Sequence, residues 1–296
     1  MEDDAVGRFG RCRVDGADTI RKTTTAFAWS GQGAPAGALP DAQSAGGKPL
    51  VQLLAIPKVA PLKVDGDWGA WAKAGVAPQV VSLPTIGWGN NKPDDLLQSF
   101  RAGVSLGAFA HDGASFYAYF LCADDTLHFD AATPGVMWMF DSVELWMEEE
   151  QFGLGMLKDG TPAIFKYRYH NLKGAEWSAN YPLPRENVWA TRYDDLSQHP
   201  LAAQLAAATG ASFKDRKGYA VMGRIPFEEV KLVGGIAGRG GKDILNMTGQ
   251  PGETVRIGIA FDGITAWGRE QDFKVYWPGA VMFSDPTRST PFALGK

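Results

Sequence analysis

Cysteine is scarce in this chain, and its scarcity excludes several classes of protein. The two cysteines, Cys12 and Cys122, lie far apart and form none of the paired spacings of a zinc or redox site. The sequence therefore supports neither a disulfide framework nor a cysteine-bound metal. Cys122 ends an apolar, strand-like segment, and we expect it to be a buried free thiol.

Long hydrophobic runs and an excess of positive charge are also missing. No stretch approaches the roughly 18 apolar residues of a membrane-spanning helix, and the first residues lack the basic and apolar regions of a signal peptide. The formal net charge is -4, and no basic cluster with interleaved aromatic residues occurs, so we expect neither nucleic acid nor an anionic membrane as a partner. The protein is then either cytoplasmic or a piece of a longer secreted protein.

Signatures of catalysis are absent as well, and we expect no enzyme. The chain contains no Gly-x-Ser-x-Gly, His-Glu-x-x-His or Walker motif. The carboxylate run Glu148–Glu150 is predicted to be a solvated strand end rather than an acid/base pair. The histidines are scattered, and each is predicted to be a surface or hydrogen-bonded residue: His111, His128, His170 and His199.

Tryptophan, by contrast, is abundant, and ten of them favour a binding surface that uses flat rings. The most informative segment runs from Trp138 to Met147 and alternates as a strand does. On a regular strand one face would point towards a core: Val143, Leu145 and Met147. The other face would carry aromatic and polar side chains: Trp138, Ser142, Glu144 and Trp146. An indole beside a carboxylate suits a sugar, because the ring stacks on C–H groups and the carboxylate accepts hydrogen bonds from hydroxyls. The alternative is an ordinary strand with Trp138 under a loop and Glu144 in a surface ion pair.

The chain divides into two parts by composition. Residues 1–50 contain a Gly-, Ala- and Pro-rich stretch, Ser30–Pro40, that is typical of a linker. We interpret residues 1–50 as an N-terminal arm, or the tail of an upstream domain, followed by a linker. Residues 51–296 are predicted to be the globular domain.

Strand follows strand in residues 51–296, with little helix between them. Two hairpins turn at His111–Ala114 and Lys158–Thr161. Three alternating segments close the chain: Tyr219–Pro226, Thr254–Phe261 and Phe273–Trp277. A long polar insertion occupies about residues 171–217. The prediction is an all-β fold, an antiparallel β-sandwich with jelly-roll or immunoglobulin-like layering.

The order of five motifs resembles that of family 9 carbohydrate-binding modules and their DOMON-like relatives. Such modules contain five motifs in a fixed order: an Asp-Gly-containing element, a strand ending in Asp-Asp, a Trp-x-x-Asp-Ser-Val-Glu run, a strand entering Ile-Pro and a strand ending in Asp. Here these motifs are Val64–Ala72, Phe116–Asp125, Trp138–Glu144, Tyr219–Phe227 and Glu253–Asp262. The resemblance covers about residues 51–296, with the insertion as the main departure in length.

The resemblance implies a sugar site built from four residues. In sugar-binding members two aromatic rings clamp the sugar, and the first ring and its hydrogen-bonding carboxylate fall on Trp138 and Glu144. The second ring falls on Phe283, where the family has Trp, and a basic contact falls on Lys166, where the family has Arg. Phe offers less stacking area than Trp, and Lys lacks the flat fork of Arg, so the choice of sugar stays open.

What the resemblance implies about function is a non-catalytic domain that binds a mono- or oligosaccharide without a cofactor. Such a domain is expected to be appended to a larger exported protein, in an extracellular or periplasmic setting. Some relatives hold calcium, for which Asp124, Asp125 and Asp130 are the candidate ligands; a plain acidic turn is the alternative.

Two other functions stay open at this point. Some DOMON-like relatives hold b-type haem through Met with His or Lys, and the candidate ligands here are Met137, Met139, Met147, His170 and Lys166. Methionines that simply fill core gaps are the competing interpretation. The chain could also be a structural or protein-interaction domain with a lost sugar site. The rings of the insertion would then form a partner surface, or else extend a glycan platform: Trp177, Tyr181, Trp189 and Tyr193.

Overall fold

About half of the residues that the structure describes lie in β-strands. The computed structural model describes residues 54–82, 86–89, 104–124, 126–148, 150–167, 180–209, 212–233, 244–263, 273–277 and 290–296. The predictions for residues 1–50, Asp125, His170, Trp177 and Phe283 lie outside these ranges.

The strands, in chain order, are β1 (Leu54–Ile56), β2 (Gln79–Ser82), β3 (Ile86–Gly89), β4 (Val104–His111), β5 (Ser115–Ala123), β6 (Ser142–Met147), β7 (Glu150–Met156), β8 (Pro162–Tyr167), β9 (Tyr181–Pro182), β10 (Val188–Tyr193), β11 (Gly218–Pro226), β12 (Lys231–Val233), β13 (Ile244–Asn246), β14 (Thr254–Gly263), β15 (Phe273–Trp277) and β16 (Thr290–Leu294). The helices are α1 (Trp68–Lys73) and α2 (Ala202–Thr209), with 3-10 helices η1 (Pro134–Met139), η2 (Arg185–Asn187), η3 (Leu196–Gln198) and η4 (Phe227–Glu229).

Two large sheets contain nearly all of these strands. The first has the order β1-β16-β14-β6-β7-β8-β9, with β15 pairing both β14 and β3. The second has the order β10-β11-β5-β4-β2, and β12 pairs with β13. Every strand pairing in the described ranges is antiparallel except that of β1 with β16. The predicted antiparallel β-sandwich is confirmed.

The space between the two sheets is the main hydrophobic core. Alternate residues of β6 point into it, and the predicted inward face of Val143, Leu145 and Met147 is confirmed. They meet side chains of the second sheet such as Phe120 and Val221. Each large apolar side chain buried here contributes about 1.5–3 kcal/mol. Cys122 is not in a disulfide, and its thiol is buried in this core, as predicted.

The outer face of the second sheet is covered by α1 and by part of the predicted insertion. α1 begins at the Asp-Gly motif, where the carboxylate of Asp67 accepts a hydrogen bond from Gly69 N at 2.8 Å. Its two tryptophans, Trp68 and Trp71, are buried against Tyr119. The 171–217 segment is not wholly a loop, because β10 within it pairs with β11 along its full length and forms an edge of the second sheet.

No helix in the described ranges is long enough and apolar enough to cross a membrane.

Candidate functional site

Trp138 lies in η1, immediately before β6, and is the only large hydrophobic side chain that is exposed among the described residues, at 38%. The expectation that Trp138 belongs to the strand is wrong, since β6 begins only at Ser142. The reason is local: Pro134 and Gly135 open η1, and a proline at the first helical position suits a helix start rather than a strand. The indole therefore stands on a short helix beside the sheet.

The outer face of the first sheet carries a row of buried polar side chains next to η1. Ser142 and Glu144 of β6 point away from the main core, as predicted, and are only 0% and 1% exposed. The amide of Gln151 donates to Glu144 Oε1 at 2.8 Å, and the hydroxyl of Ser142 donates to Asp262 Oδ2 at 3.1 Å. Cross-strand pairing places Tyr167, the partner of Gln151, on the same face. We call these residues the outer polar cluster: Ser142, Glu144, Gln151, Tyr167 and Asp262.

Glycines in β7 make room for this cluster. Gly153 and Gly155 are the cross-strand partners of Glu144 and Ser142 and so lie on the same outer face. The ring of Tyr167 lies directly over Gly153, where a Cβ atom would be 2.6 Å from Cε2 and 2.7 Å from the hydroxyl oxygen. A side chain at position 153 would therefore displace the tyrosine.

The electrostatics of the cluster keep Tyr167 a hydrogen-bond donor. Burial, followed by the negative charges of Glu144 and Asp262, raises the pKa of Tyr167 well above its ordinary value. Its phenol therefore stays protonated at neutral pH and donates to the carbonyl of Pro134 at 3.4 Å. The cluster combines carboxylate acceptors with an amide and hydroxyl donors, which are the groups that recognise a polyol.

The structure does not bring Lys166 to this cluster. Lys166 has the same strand parity as Ile164, whose side chain lies in the main core, so its ammonium points to the opposite face of the sheet from Glu144. It is 1% exposed, with Glu150 Oε1 at 3.4 Å, Glu229 Oε2 at 3.3 Å and the Glu229 carbonyl at 2.8 Å. The resemblance implied a sugar contact for Lys166, and the geometry instead makes it the centre of an ion cluster inside the sandwich.

This inner ion cluster consists of Glu150, Lys166, Tyr181 and Glu229. The hydroxyl of Tyr181 donates to Glu229 Oε2. Lys166 also lies 5.7 Å from the centre of the Tyr181 ring. The cluster thereby links β7, β8, β9 and η4.

The prediction that Glu148–Glu150 is a solvated strand end is wrong for both described members. Glu148 and Glu150 are each 0% exposed. Glu148 has a φ of 56°, and its Oε1 accepts a hydrogen bond from Arg256 N at 2.7 Å. The tight β6–β7 turn directs these carboxylates back onto β14 and Lys166. A run of like charges gives no sign of such partners, because they lie far away in the sequence.

Glu150 should make the stability of the domain depend on pH. Burial raises its pKa to about 7, against the opposing attraction of Lys166, from an ordinary 4.5. The folded state therefore holds this proton more tightly, and the resulting stability is complete below an ordinary carboxyl pKa and is lost as the pH rises through about 7. The loss amounts to about 3 kcal/mol. The variant Glu150→Gln lacks this titration, so its free energy of unfolding relative to wild type should rise by about 3 kcal/mol from low pH to about pH 8 in urea denaturation. A difference independent of pH would contradict the assignment.

The candidate haem ligands within the described ranges do not converge. Met147 lies in the main core, whereas Met137 lies under η1 on the other face of the first sheet, beside Ala131 and Ala163. Met139 is half-buried at the end of η1, and Lys166 is ion-paired.

The two described candidate calcium ligands, Asp124 and Asp130, differ in burial. Asp124 is buried, and its Oδ1 accepts hydrogen bonds from the backbone N–H and hydroxyl of Thr126 at 2.9 and 3.2 Å, while Asp130 is exposed. Within the described part of the chain, no group of three or more His, Cys, Asp or Glu side chains could hold a metal ion.

The described aromatic rings of the 171–217 segment do not form one surface. Tyr181 belongs to the inner ion cluster, whereas Trp189 and Tyr193 pack on the outer face of the second sheet. There Tyr119 and His199 meet them, and the Tyr119 hydroxyl lies 2.8 Å from His199 Nε2. His111 is likewise buried and hydrogen-bonded, through Nε2 to the Gly295 carbonyl at 3.2 Å.

Sequence reasoning missed three members of the site: Gln151, Tyr167 and Asp262. The signal for Tyr167 was present, because β8 alternates Phe165 and Tyr167 on one face. Asp262 ended the last motif of the resemblance without a role. Gln151 carried no signal, since its importance comes from its register opposite Trp146 and its bond to Glu144.

No protein-family model and no curated protein matches this chain. Among solved structures, a protein from Bacteroides uniformis, provisionally described as carbohydrate-binding, gives a TM-score of 0.46 at 13% identity over 81% of this chain and 98% of its own. A family 9 carbohydrate-binding module from Caldicellulosiruptor kristjanssonii in complex with cellotriose gives 0.42 at 12% identity over 82% and 93%. A structure of such a module from the same organism in complex with glucose gives 0.42 at 13% identity over 82% and 96%.

Proposed function

We propose that this chain is a non-catalytic carbohydrate-binding domain whose site lies on the outer face of the first sheet. The observation that carries the proposal is the exposed indole of Trp138 beside the outer polar cluster. An exposed indole next to hydrogen-bonding groups fits a ligand with apolar faces and polar edges. A pyranose ring is such a ligand.

The chemistry of binding follows from the hydrogen bonds already present. The C–H face of the sugar stacks on Trp138, and its hydroxyls donate to Glu144. Since Gln151 occupies Glu144 Oε1 in this structure, a sugar hydroxyl takes the place of that amide, and the amide turns to a sugar oxygen. The exchange keeps the buried carboxylate hydrogen-bonded throughout.

Two residues of the implied site have different standing in this proposal. Phe283 is retained as the second ring of the clamp on the strength of the sequence resemblance alone. Lys166 is left out, because its ammonium lies on the opposite face of the sheet and is held by Glu150 and Glu229. The fixing of hydroxyls is assigned instead to Glu144 and Gln151.

The test is a tryptophan-fluorescence titration against mono- and oligosaccharides, with borohydride-reduced versions in parallel. Saturable quenching or a blue shift is the expected result, since a sugar on Trp138 removes water from the indole. Loss of the response with reduced sugars would identify reducing-end recognition. A flat response across the panel, confirmed by calorimetry, would overturn the proposal. Reducing-sugar release that scales with protein concentration would overturn its non-catalytic part.

A second candidate function is favoured by the burial of the outer polar cluster. Glu144 and Asp262 are each 1% exposed, which also fits a structural or protein-interaction domain that has lost an ancestral sugar site. A flat titration would support this candidate. Under either function we propose a domain that needs no cofactor and belongs to a larger exported protein in an extracellular or periplasmic setting.

A further inference from the structure

The short helix η1 needs support from outside itself. It is a six-residue 3-10 helix whose N-cap, Thr133, makes no side-chain capping hydrogen bond. Helices of this kind have poor internal hydrogen-bond geometry and rarely persist beyond a few residues. The position of Trp138 in η1 is therefore set by the surface on which η1 lies.

That surface is β8. Gly135 of η1 lies over the ring of Phe165, with 3.4 Å between its Cβ position and Cζ. Met137 is 1% exposed and is buried against Ala163 of β8. The rings of Phe165 and Tyr167 are 5.0 Å apart and form one continuous platform.

Tyr167 is the residue that holds both ends of the helix. Its hydroxyl donates to the carbonyl of Pro134, the first residue of η1, at 3.4 Å. The backbone N–H of Trp138 donates to the hydroxyl oxygen of Tyr167. One phenol thus spans η1 from its start to the residue that carries the exposed indole.

Gly153 allows Tyr167 to reach this place. A Cβ atom at position 153 would overlap the tyrosine ring at 2.6 Å, and Gly153 has no positive φ, so space rather than backbone conformation requires glycine here. At Gly155, two residues along the same face, the nearest atom would be Ser142 Cβ at 3.3 Å, a tight but tolerable distance.

We infer that Tyr167 is a positioning residue for Trp138: with Gly153 beneath it, its hydroxyl fixes η1 and thereby the height and tilt of the indole. The expected effect on sugar affinity rests on the proposed function. The expected effect on the position of the Trp138 indole is independent of that function.

The experiment uses the full chain labelled with 5-fluorotryptophan, in which the Trp138 resonance is assigned as the one that Trp138→Phe removes. Tyr167→Phe should shift or broaden this 19F resonance and increase the quenching of indole fluorescence by iodide. It should weaken sugar binding about fivefold, the equivalent of one hydrogen bond. The matched control is Tyr219→Phe, which removes a hydroxyl that donates over an equal 3.4 Å to the carbonyl of Ser142 and also has a hydrogen bond with the Cys122 thiol inside the sandwich. That control should leave the Trp138 resonance unchanged.

A second pair of variants tests the glycine. Gly153→Ala should shift the Trp138 resonance at least as strongly as Tyr167→Phe, whereas Gly155→Ala should shift it little. If Gly153→Ala fails to fold, Tyr167→Phe alone decides.

The outcomes separate the two proposals. A Trp138 resonance that moves in Tyr167→Phe but not in Tyr219→Phe supports the positioning role even if wild type binds no sugar, and the carbohydrate proposal then fails alone. An unmoved resonance in Tyr167→Phe, or equal shifts in both tyrosine variants, overturns the positioning role whatever the sugar titration gives.

Discussion

The variant Trp138→Ala should lose at least about 2 kcal/mol of sugar-binding free energy, or about 30-fold in affinity, while keeping its fold. The loss is large because truncation removes the stacking surface, and tryptophans at the centre of a binding site dominate the binding energy. The fold should survive because the side chain is 38% exposed. Calorimetric titration and thermal unfolding measure the two quantities.

The control for this variant is Trp189→Ala. Trp189 is half-buried on the outer face of the second sheet, where its ring lies against Gly66. Its truncation should lower stability and leave sugar affinity unchanged. Unaltered affinity in Trp138→Ala would show that the indole is not part of the site. An equal loss of affinity in Trp189→Ala would show that both substitutions act by destabilising the fold.

The variant Lys166→Met should destabilise the domain by about 3–5 kcal/mol near pH 8 without changing sugar affinity by more than about twofold. Removing the ammonium leaves Glu150 and Glu229 in a buried site without their cation, and an uncompensated buried charge is costly. At low pH the cost should be smaller, because Glu150 is then protonated. Urea denaturation of wild type and variant, near pH 8 and at low pH, measures the two losses in the free energy of unfolding.

Lys231 provides the matched lysine for this experiment. Its ammonium lies near the surface, donates to the Glu228 carbonyl at 3.2 Å and to Asn246 Oδ1 at 2.5 Å, and attracts Glu150 less strongly than Lys166 does. Lys231→Met should therefore cost no more than about 1 kcal/mol. Loss of sugar affinity in Lys166→Met, at a temperature where the variant is folded, would return Lys166 to the sugar site. Equal costs for the two lysines would show that the inner ion cluster contributes little.

Much of the fold could be predicted from alternation alone. The inward face of Val143, Leu145 and Met147, the turn at His111–Ala114 and the strand Phe273–Trp277 all follow from a period of two and from turn residues. These signals are local, and each residue reports its own environment. The buried thiol of Cys122 followed from the same reasoning.

The parts that alternation could not predict depend on which face or partner a residue meets. Trp138 lies in η1 rather than in the strand because Pro134 and Gly135 start a helix. Lys166 was assigned from its neighbourhood in a motif, whereas its parity with Ile164 sends it to the opposite face. Glu150 resembled a surface charge because its partners, Lys166 and Glu229, come from other strands and from η4. The described aromatic residues of the 171–217 segment looked alike in sequence and lie on different layers.

The parallel pairing of β1 with β16 governs the order in which the first sheet can assemble. The hairpins β6–β7 and β7–β8 join near neighbours, but Leu54 meets Phe292 almost a full domain length away. Closing so long a loop costs about 3 kcal/mol more entropy than closing a hairpin. Non-local pairings of this kind form late and slow the folding of β proteins. During synthesis, β1 therefore cannot pair with β16 until residue 292 has left the ribosome.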